Sequence, residues 1–566
     1  MLGADHHRGF AMFSPNTRNA RRWLWPFCGA LLVLRIVYAW ALRINSDEPQ
    51  HLHVVWGWTQ GLLPYRDVFD NHTPLFQLLS APLFAAIGER AEILPLMRLA
   101  TIPWYALALW CTYRIGRALF DARTGAWAAV LTALMPAFFI LFAQFRTDVA
   151  WAALWLAMVM VAIEGRPTPR RAFCVGLLAG AACAVSLKSL LLLGTLGGSA
   201  LLVLALQRAL ARRMPLREIA TTLLFAVAGF AVLPAVIALS FYAAGAWDAF
   251  VYCVFVHNLV PGLGNWEHNT GRFFIFPIAL IPVTLVGREL MRRDADVERG
   301  AKRAFVWSAA MLYVAALTSY WPLLTRQDLL PFRPLIAVFV VALLLHVYRS
   351  SAGWRTRAPL RLILPLCAEF FLLLSDQSPF KDRVHRYVTE LRDVQWLSNA
   401  DDYVMDAKGE AIFRRRPFYF ALEQITLKRI ELGLIPDTIS QALRATSTAV
   451  IVSGPELDRV PAATRNFIEH NYVPVRRRIR VAGVVVPDAP VHVRQTFEVA
   501  LPLQYALIDS GGRFTGRLDG SDYSEPRVLS PGTHVLERSS GAGAVAVVWA
   551  QAIERGFAPD LAMPQR

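Results

Sequence analysis

Long apolar stretches alternate with short charged segments along the first two thirds of the chain. Each stretch is roughly 17–24 residues long, enough for an α-helix to cross a hydrocarbon core ~30 Å thick. The pattern predicts an α-helical polytopic membrane protein with about eleven transmembrane helices. The predicted spans are 23–42, 93–113, 125–143, 149–164, 172–188, 189–207, 219–242, 273–288, 304–322, 332–348 and 360–375.

The last third of the chain, residues 376–566, contains no spanning stretch and predicts a soluble domain. Residues 376–476 mix strand-like pieces such as 449–452 with helical ones such as 462–469, which predicts an α/β unit. Residues 477–566 alternate in short runs between Gly and Pro turns, which predicts a β-rich unit.

The predicted organisation thus has three parts. A short N-terminal segment, 1–22, precedes a transmembrane domain, 23–375, whose first outer loop spans residues 44–91. The soluble tail, 376–566, follows.

Composition agrees with a membrane protein. The chain has 566 residues, of which 55% are hydrophobic and 18% charged, whereas soluble proteins carry about 25% charged residues. Such hydrophobicity excludes a disordered chain. A net charge of +16 could indicate either a nucleic-acid partner or the orientation of membrane spans. The positions of the charges along the chain distinguish the two.

The positive charges cluster between alternate spans. These clusters lie at 21–22, 114–123, 166–171, 208–217, 288–303 and 349–361. The positive-inside rule places them in the cytoplasm, with the N-terminus inside and the C-terminus outside, so nucleic-acid binding is not needed to explain them. Two arginine runs of the tail, 414–416 and 476–478, are typical of solvated surfaces, or alternatively contact anionic lipid headgroups.

The first outer loop begins with a predicted short helix. Ser46 or Asp47 is a favourable N-cap residue. Asp47 and His51 are one turn apart and share a helix face. Trp56 and Trp58 favour a helix that lies at the membrane interface.

Charged residues also stand at the outer ends of later spans. Asp148 follows the third span, Lys188 lies between the fifth and sixth, and Arg326 lies between the ninth and tenth. Charges at membrane depth are costly and usually mark function. One outer cleft could therefore gather the carboxylates of Asp47, Glu48 and Asp148 with the cations of Lys188 and Arg326.

Ordinary structural roles also account for each residue taken alone. Lys188 could extend from a helix end towards water, and Asp148 could form a local surface pair with Arg146. His51, His53 and His72 with Asp67 and Asp70 could form a metal cluster, but this is a weak pattern and solvated loop histidines are more common. The combination, rather than any single residue, indicates function.

The acidic pair at residues 47–48 and the motifs that follow it resemble the GT-C integral-membrane glycosyltransferases. The similarity is strongest to the bacterial branch related to protein O-mannosyltransferases and lipid A aminoarabinose transferases. In that branch the acidic pair precedes Gly-x-x-Pro-Tyr-x-Asp and His-x-Pro-Leu stretches. The matching residues are Gly61, Pro64, Tyr65, Asp67, His72, Pro74 and Leu75.

Three later motifs extend the resemblance over about residues 20–375. Residues 146–148 are similar to the second acidic motif of the family. Residues 186–189 resemble its Thr-Lys-Gly-Pro motif, although Ser189 and Leu190 replace Gly-Pro. Residues 326–331 resemble Arg-Tyr-Leu-Leu-Pro, with Asp328 as a departure. Four motifs in order on one face are more specific than any one of them.

The resemblance implies transfer of a sugar from a polyprenyl-phosphate donor to an acceptor outside the cytoplasmic (inner) membrane, by a single displacement with inversion. Asp47 would act as the base, with Asp148 as a second catalytic carboxylate. Lys188 and Arg326 would stabilise the leaving phosphate.

Four further residues of the first outer loop would orient the acceptor or donor: Glu48, His51, Tyr65 and His72. The family includes enzymes with and without a metal, so a divalent cation such as Mg²⁺ or Mn²⁺ stays open. The implied partners are the polyprenyl-phosphate sugar, an unidentified acceptor and the bilayer, without nucleic acid.

Three other functions are alternatives. A transporter or flippase of a lipid-linked sugar predicts paired half-helices or an inverted repeat, and the sequence shows neither. A hydrolase of polyprenyl phosphates needs a nucleophile and base, for which Asp47 with His51 is the one candidate. A binding protein anchored by its membrane part does not need eleven spans.

Overall fold

The computed structural model describes residues 17–165, 168–209, 216–266, 270–350, 358–510, 512 and 514–559. Most of the predicted N-terminal segment and parts of the predicted cytoplasmic loops lie outside these residues.

The α-helices before the tail are α1 Thr17–Ala41, α2 Asp47–Thr59, α3 Leu75–Ile87, α4 Ile93–Leu99, α5 Ile102–Leu119, α6 Ala122–Leu134, α7 Pro136–Phe142, α8 Thr147–Ile163, α9 Pro169–Val185, α10 Ser189–Ala209, α11 Leu216–Ala243, α12 Trp247–Val251, α13 Ile275–Arg293, α14 Val297–Tyr320, α15 Phe332–Ser350 and α16 Ala358–Asp376. A π-helical turn, Tyr252–Val256, and 3-10 turns at Gly264–Trp266, Thr270–Phe274 and Arg326–Leu329 connect some of them.

Every predicted apolar stretch coincides with helix, and two stretches are interrupted. The stretch 93–113 is divided between α4 and α5. The stretch 125–143 is divided between α6 and α7, which meet at 68° where Pro136 begins α7. Proline lacks the amide hydrogen that would continue a helix, which accounts for this break.

Among the described residues, fewer helices than predicted are long and apolar enough to cross a membrane on their own. Four satisfy both requirements: Ile93–Leu119, Ser189–Ala209, Arg217–Ala243 and Gly271–Arg293. The bent α6–α7 pair would be a fifth. Other apolar helices are shorter; α8, with 17 residues, rises only ~25 Å. The count of eleven spans and the orientation stay predictions.

Helices α9 and α11 are in backbone contact where their glycines meet. A Cβ atom on Gly176 would lie 1.9 Å from the carbonyl oxygen of Ala226. A Cβ atom on Gly229 would lie 2.1 Å from the carbonyl oxygen of Phe173. Only glycine permits the two backbones to approach so closely. This packing fixes the position of α9, and the turn with Lys188 follows directly after that helix.

Helix α2 begins at Asp47, as predicted, and most of its residues are buried within the protein. Trp56 is buried and donates a hydrogen bond to Glu89. The tail covers the helix, because Gly409 packs on His53 and the His53 ring lies 2.8 Å from the carbonyl oxygen of Ile412. Trp56 is thus enclosed by protein, and Trp58 packs against Phe241 of α11 with ring centroids 6.5 Å apart.

The tail combines helices with two sheets. Its helices are α17 His385–Leu397, α18 Gln424–Glu431, α19 Ile439–Ala445, α20 Ala462–Asn471 and α21 Ala550–Glu554, with a 3-10 turn at Leu457–Arg459. Its strands are β1 Val404–Met405, β2 Val450–Val452, β3 Tyr472–Pro474, β4 Ile479–Val486, β5 Arg494–Val499, β6 Leu503–Ile508, β7 Gly516–Leu518, β8 Ser521–Asp522, β9 Arg527–Leu529, β10 Gly532–Arg538 and β11 Val545–Trp549.

One seven-stranded sheet crosses the boundary predicted at residue 476. Its order is β1-β2-β4-β11-β6-β9, and β3 also pairs with β4. The first half of β4 pairs with β2 and β3, and its second half pairs with β11. The predicted α/β and β-rich units therefore share a sheet and a core instead of forming separate ones. A smaller sheet, β5-β10-β7-β8, packs beside it.

The arginine run 414–416 is not a solvated surface as a whole. Arg414 is buried and donates to the Ser398 hydroxyl and carbonyl oxygens at 2.9 and 3.0 Å. The Arg416 side chain is also buried, 3.8 Å from Asp406. The interpretation as a solvated face is wrong for these two residues, because carbonyl and carboxylate oxygens inside the tail compensate their charges.

Candidate active site

Asp47 lies at the centre of the site and is held by two cations. One carboxylate oxygen, Oδ2, is 2.8 Å from the guanidinium of Arg146. The other, Oδ1, is 2.6 Å from Nζ of Lys408, a residue of the tail. Burial opposes ionisation of Asp47, but Arg146 and Lys408 outweigh it and hold the pKa of the carboxyl well below its usual range. The side chain remains 29% exposed, so an ionised carboxylate is open to a ligand.

The network continues from Arg146 to a second carboxylate. Nε of Arg146 lies 3.1 Å from Oδ2 of Asp148, in the first turn of α8. Oδ1 of Asp148 lies 3.1 Å from Nζ of Lys188. The predicted residues Asp47, Asp148 and Lys188 therefore come together through Arg146.

Asp328 ends this network and explains a departure from the family motif. Its Oδ1 lies 2.6 Å from Nζ of Lys188. Its Oδ2 accepts hydrogen bonds from the backbone and hydroxyl of Thr325, at 2.8 and 2.6 Å. The same carboxylate thus caps the 3-10 turn and compensates Lys188, whose charge is shared between two aspartates.

Arg326 stands apart from the network. It is exposed at the start of the same 3-10 turn, and it forms no ion pair within the described part of the chain. Its carbonyl oxygen accepts a hydrogen bond from Arg333 at 3.1 Å. Two arginines are therefore adjacent here without a carboxylate between them.

Glu48 points away from the site, although it follows Asp47 directly. It is fully buried and accepts from Nε and NH2 of Arg98 at 2.7 and 2.6 Å. It also accepts from the backbone amides of Asn45 and Phe145, at 3.0 and 2.8 Å. Glu48 therefore joins α2 to α4 and to the α7–α8 connection, and it does not reach a ligand.

The two predicted histidines pack against each other beside the network. The rings of His51 and His72 meet edge to face with centroids 4.8 Å apart. Neither ring nitrogen of His51 has a hydrogen-bond partner among the described residues, and burial holds the pKa of His51 well below its usual value. Nδ1 of His72 lies 2.9 Å from Asp70. Neutral His51 thus offers unpaired nitrogens at the site.

Tyr65 shapes the loop that carries His72. It is buried, and its hydroxyl donates to the carbonyl oxygen of His72 at 2.8 Å. Its φ of +69° is unusual for a residue with a side chain. In this conformation Tyr65 supports the loop and does not contact the charged network directly.

Part of the chain is similar in sequence to a known family, and its fold is similar to solved structures. Residues 71–238 match the family described as dolichyl-phosphate-mannose-protein mannosyltransferase. The fold is similar to ArnT from Cupriavidus metallidurans in the apo state, with 13% identity, a TM-score of 0.54, and coverage of 82% of this chain and 98% of that chain. ArnT bound to undecaprenyl phosphate is also similar, with 13% identity, a TM-score of 0.55 and the same coverage. A search of curated protein sequences finds no match.

The predicted resemblance to GT-C glycosyltransferases is confirmed. The family match includes His72, Asp148 and Lys188, whereas Asp47 precedes it and Arg326 follows it. At this identity the structural likeness establishes the fold alone, so residue roles in this chain rest on its own geometry.

Lys408 is the residue of this site that sequence reasoning missed. A turn holds it in place, because Asp406 accepts hydrogen bonds from the amides of Gly409 and Ala411, both at 2.8 Å. Gly409 has a φ of +94° in this turn. An Asp-x-Lys-Gly turn is a weak signal in a polar tail, and nothing local connects it to Asp47.

The site residues do not fit a divalent cation as they stand. Within the described residues no three His, Cys, Asp or Glu side chains converge as metal ligands would. The guanidinium of Arg146 lies between the carboxylates of Asp47 and Asp148, at 2.8 and 3.1 Å. The two acidic motifs are therefore joined by an arginine.

Proposed function

We propose that this protein transfers a sugar from a polyprenyl-phosphate donor to an acceptor outside the cytoplasmic membrane. The observation that carries the proposal is Asp47, a partly exposed carboxylate kept ionised by Arg146 and Lys408. The GT-C fold and the match to a mannosyltransferase family support the reaction class.

In this reaction Asp47 removes a proton from an acceptor hydroxyl or amine. The freed electron pair attacks the anomeric carbon as the bond from that carbon to the phosphate oxygen breaks. The sugar is transferred with inversion, the electrons leave on the polyprenyl phosphate, and the proton stays on Asp47. No covalent enzyme intermediate is required.

Cations of the site stabilise the leaving phosphate. Arg326 is exposed and uncompensated, so it binds the donor phosphate without first losing a partner. Lys188 is compensated by Asp148 and Asp328, so it reaches the phosphate by exchanging one carboxylate for it. Asp148 contacts both Arg146 and Lys188 and thereby orients their side chains.

We further propose that the remaining predicted residues act by orientation. The unpaired nitrogens of His51 hydrogen-bond to sugar hydroxyls, with His72 beside them. Tyr65 and Glu48 hold the loop and helix that carry these groups. Arg146 joins the two acidic motifs, so the proposed reaction contains no metal-dependent step.

The proposed orientation places the N-terminus in the cytoplasm and the tail outside the inner membrane. Basic residues between the spans support it, by the positive-inside rule. Because Lys408 of the tail contacts Asp47, the site lies on the same side as the tail.

The experiment uses the full chain in nanodiscs with a polyprenyl-phosphate sugar and a cell-envelope extract as acceptor. Mass spectrometry should detect donor loss only when the extract is present. Asp47→Asn should abolish turnover but retain binding of undecaprenyl phosphate, and Asp248→Asn, an exposed acid on α12, is the matched control. Full turnover in Asp47→Asn would remove Asp47 as the base. Absence of donor loss in the wild type would favour a flippase, which moves the lipid-linked sugar without cleaving it.

A further inference from the structure

Asp328 is a buried carboxylate that lies against one of the cations proposed to bind the donor phosphate. Its Oδ1 is 2.6 Å from Nζ of Lys188. Arg326, the other cation assigned to that phosphate, belongs to the same 3-10 turn as Asp328. A phosphate held by Arg326 and Lys188 therefore binds next to a negative charge of the protein.

Hydrogen bonds hold Asp328 in place. Its Oδ2 accepts from the backbone amide and the hydroxyl of Thr325, at 2.8 and 2.6 Å. Its carbonyl oxygen accepts from the hydroxyl of Tyr313 at 2.7 Å. Both the side chain and the backbone are thus fixed, so the carboxylate stays beside the phosphate after Lys188 has turned towards the ligand.

The two carboxylates that share Lys188 are not equivalent. Asp148 lies 3.1 Å from Lys188 and 3.1 Å from Arg146, so it keeps a cation when Lys188 moves. Asp328 pairs with Lys188 alone among the described residues. Movement of Lys188 towards a ligand therefore leaves Asp328 buried without a counter-charge, which is costly. The same cost favours the return of Lys188 to Asp328 when the ligand leaves.

The proposed donor and product differ in charge at the phosphate. The donor is a phosphate diester with a single negative charge. Transfer breaks the bond from the anomeric carbon to a phosphate oxygen, and the electron pair stays on that oxygen. The product is a phosphate monoester, which carries a charge of about −1.5 to −2 at pH 7 because its second pKa is about 6. A fixed carboxylate repels this product more strongly than the donor.

We propose that Asp328 shifts the preference of the site from the product towards the donor and so promotes release of the polyprenyl phosphate. The inference rests on the proposed function and adds a specificity-determining residue to it. Repulsion by Asp328 grows when the phosphate gains its second charge, which happens as the sugar is transferred. Lys188 then returns to Asp328 as the lipid leaves. Asp328 acts through its charge and through Lys188, and it takes no part in breaking the bond.

The test compares two lipids with the full chain in phosphatidylcholine nanodiscs by native mass spectrometry. Undecaprenyl phosphate is the monoester, and undecaprenyl methyl phosphate is a diester with the charge of the donor. Asp328→Asn removes the charge but keeps an oxygen that accepts from Thr325. At pH 8 this variant should tighten binding of the monoester by about tenfold more than binding of the diester, because the monoester bears a further charge. At pH 5, where the monoester has lost most of that charge, the difference should nearly vanish.

Other charged and titratable groups do not obscure this comparison. They face Lys188 and Asp328 from each adjoining element, namely Arg146, Asp148, Tyr313, Arg326 and Arg333. The wild type and the variant share all of these groups. The change in the monoester-to-diester ratio between the two proteins at one pH therefore isolates the charge of Asp328.

Two further variants are controls. Asp248→Asn removes an exposed acid of α12 and should leave both affinities within about twofold. Thr325→Ala removes one hydrogen bond to Asp328 but keeps its charge, so the wild-type ratio of the two affinities should persist within about twofold. An equal ratio in Asp328→Asn and the wild type, or a Thr325→Ala protein that behaves as Asp328→Asn does, would overturn the proposal. Failure of the wild type to bind either lipid would instead contradict the proposed function.

Discussion

Asp47 and Glu48 are neighbours in sequence but belong to two different regions of the molecule. Glu48 lies in a dry region where every oxygen is bonded to Arg98 or to a backbone amide. Asp47 lies in an open region, where its partners come from distant segments and part of the carboxylate is exposed. A charge of the first kind stabilises the fold, whereas a charge of the second kind can be exchanged for a ligand.

The largest expected effect is a loss of stability when the buried ion pair of Glu48 is broken. Glu48→Gln leaves the Arg98 guanidinium buried without its counter-charge, which should lower the free energy of unfolding by about 3–5 kcal/mol. Asp47→Asn should cost less than half of that, because Arg146 keeps Asp148 as a partner. Thermal unfolding in detergent tests both. A Glu48→Gln protein as stable as the wild type would contradict the assignment of Glu48 to the scaffold.

The next effect concerns the uncompensated arginine of the open region. Arg326→Gln should weaken binding of undecaprenyl phosphate by about tenfold, because one charge-assisted contact is lost. Arg66→Gln, which removes an exposed arginine already paired with Asp67, is the control and should change the affinity little. If the two variants bind the lipid equally, Arg326 does not meet the donor phosphate.

A smaller effect should appear in the pH dependence of turnover. Lys408 favours the ionised form of Asp47, so Lys408→Met should raise the pKa of that carboxyl. A higher pH is then needed to ionise the base, and the acidic limb of kcat/KM should move up by about one pH unit or more. Lys408→Arg retains the positive charge, so the acidic limb of kcat/KM should stay near its wild-type pH. A shift of equal size in both variants would indicate a packing effect.

The smallest expected change is with a chelator. Because Arg146 joins the two acidic motifs, turnover in excess EDTA should equal turnover with added Mg²⁺ or Mn²⁺. A loss in EDTA that Mn²⁺ restores would show that a metal displaces the guanidinium during the reaction.

Sequence reasoning found the parts of this site that are unusual for their surroundings. Asp148 and Lys188 were recognisable because charges are rare at the ends of apolar stretches. Asp47 was recognisable from its motif and its predicted helix start. The sequence does not predict that Glu48 is buried in the fold while Asp47 remains partly exposed. This difference depends on Arg98, which pairs with Glu48 from 50 residues away in sequence.

The tail shows why the remaining parts escaped prediction. A lysine in a polar segment is ordinary, and Lys408 meets Asp47 across a separation of 361 residues. Asp328 looked like a flaw in a motif, since only the fold reveals that it compensates Lys188. The sheet across residue 476 was likewise hidden, because strand patterns do not show which strands pair.

The contact between Lys408 and Asp47 also bears on how the molecule is made. A growing chain that ends after α16 already contains Asp47, Arg146 and Asp148, yet it lacks Lys408, the second cation of Asp47. Within this chain, the site around Asp47 is therefore completed only when the segment with Lys408, which follows α16, has docked. On the proposed function, transfer of sugar from the lipid donor begins at that point.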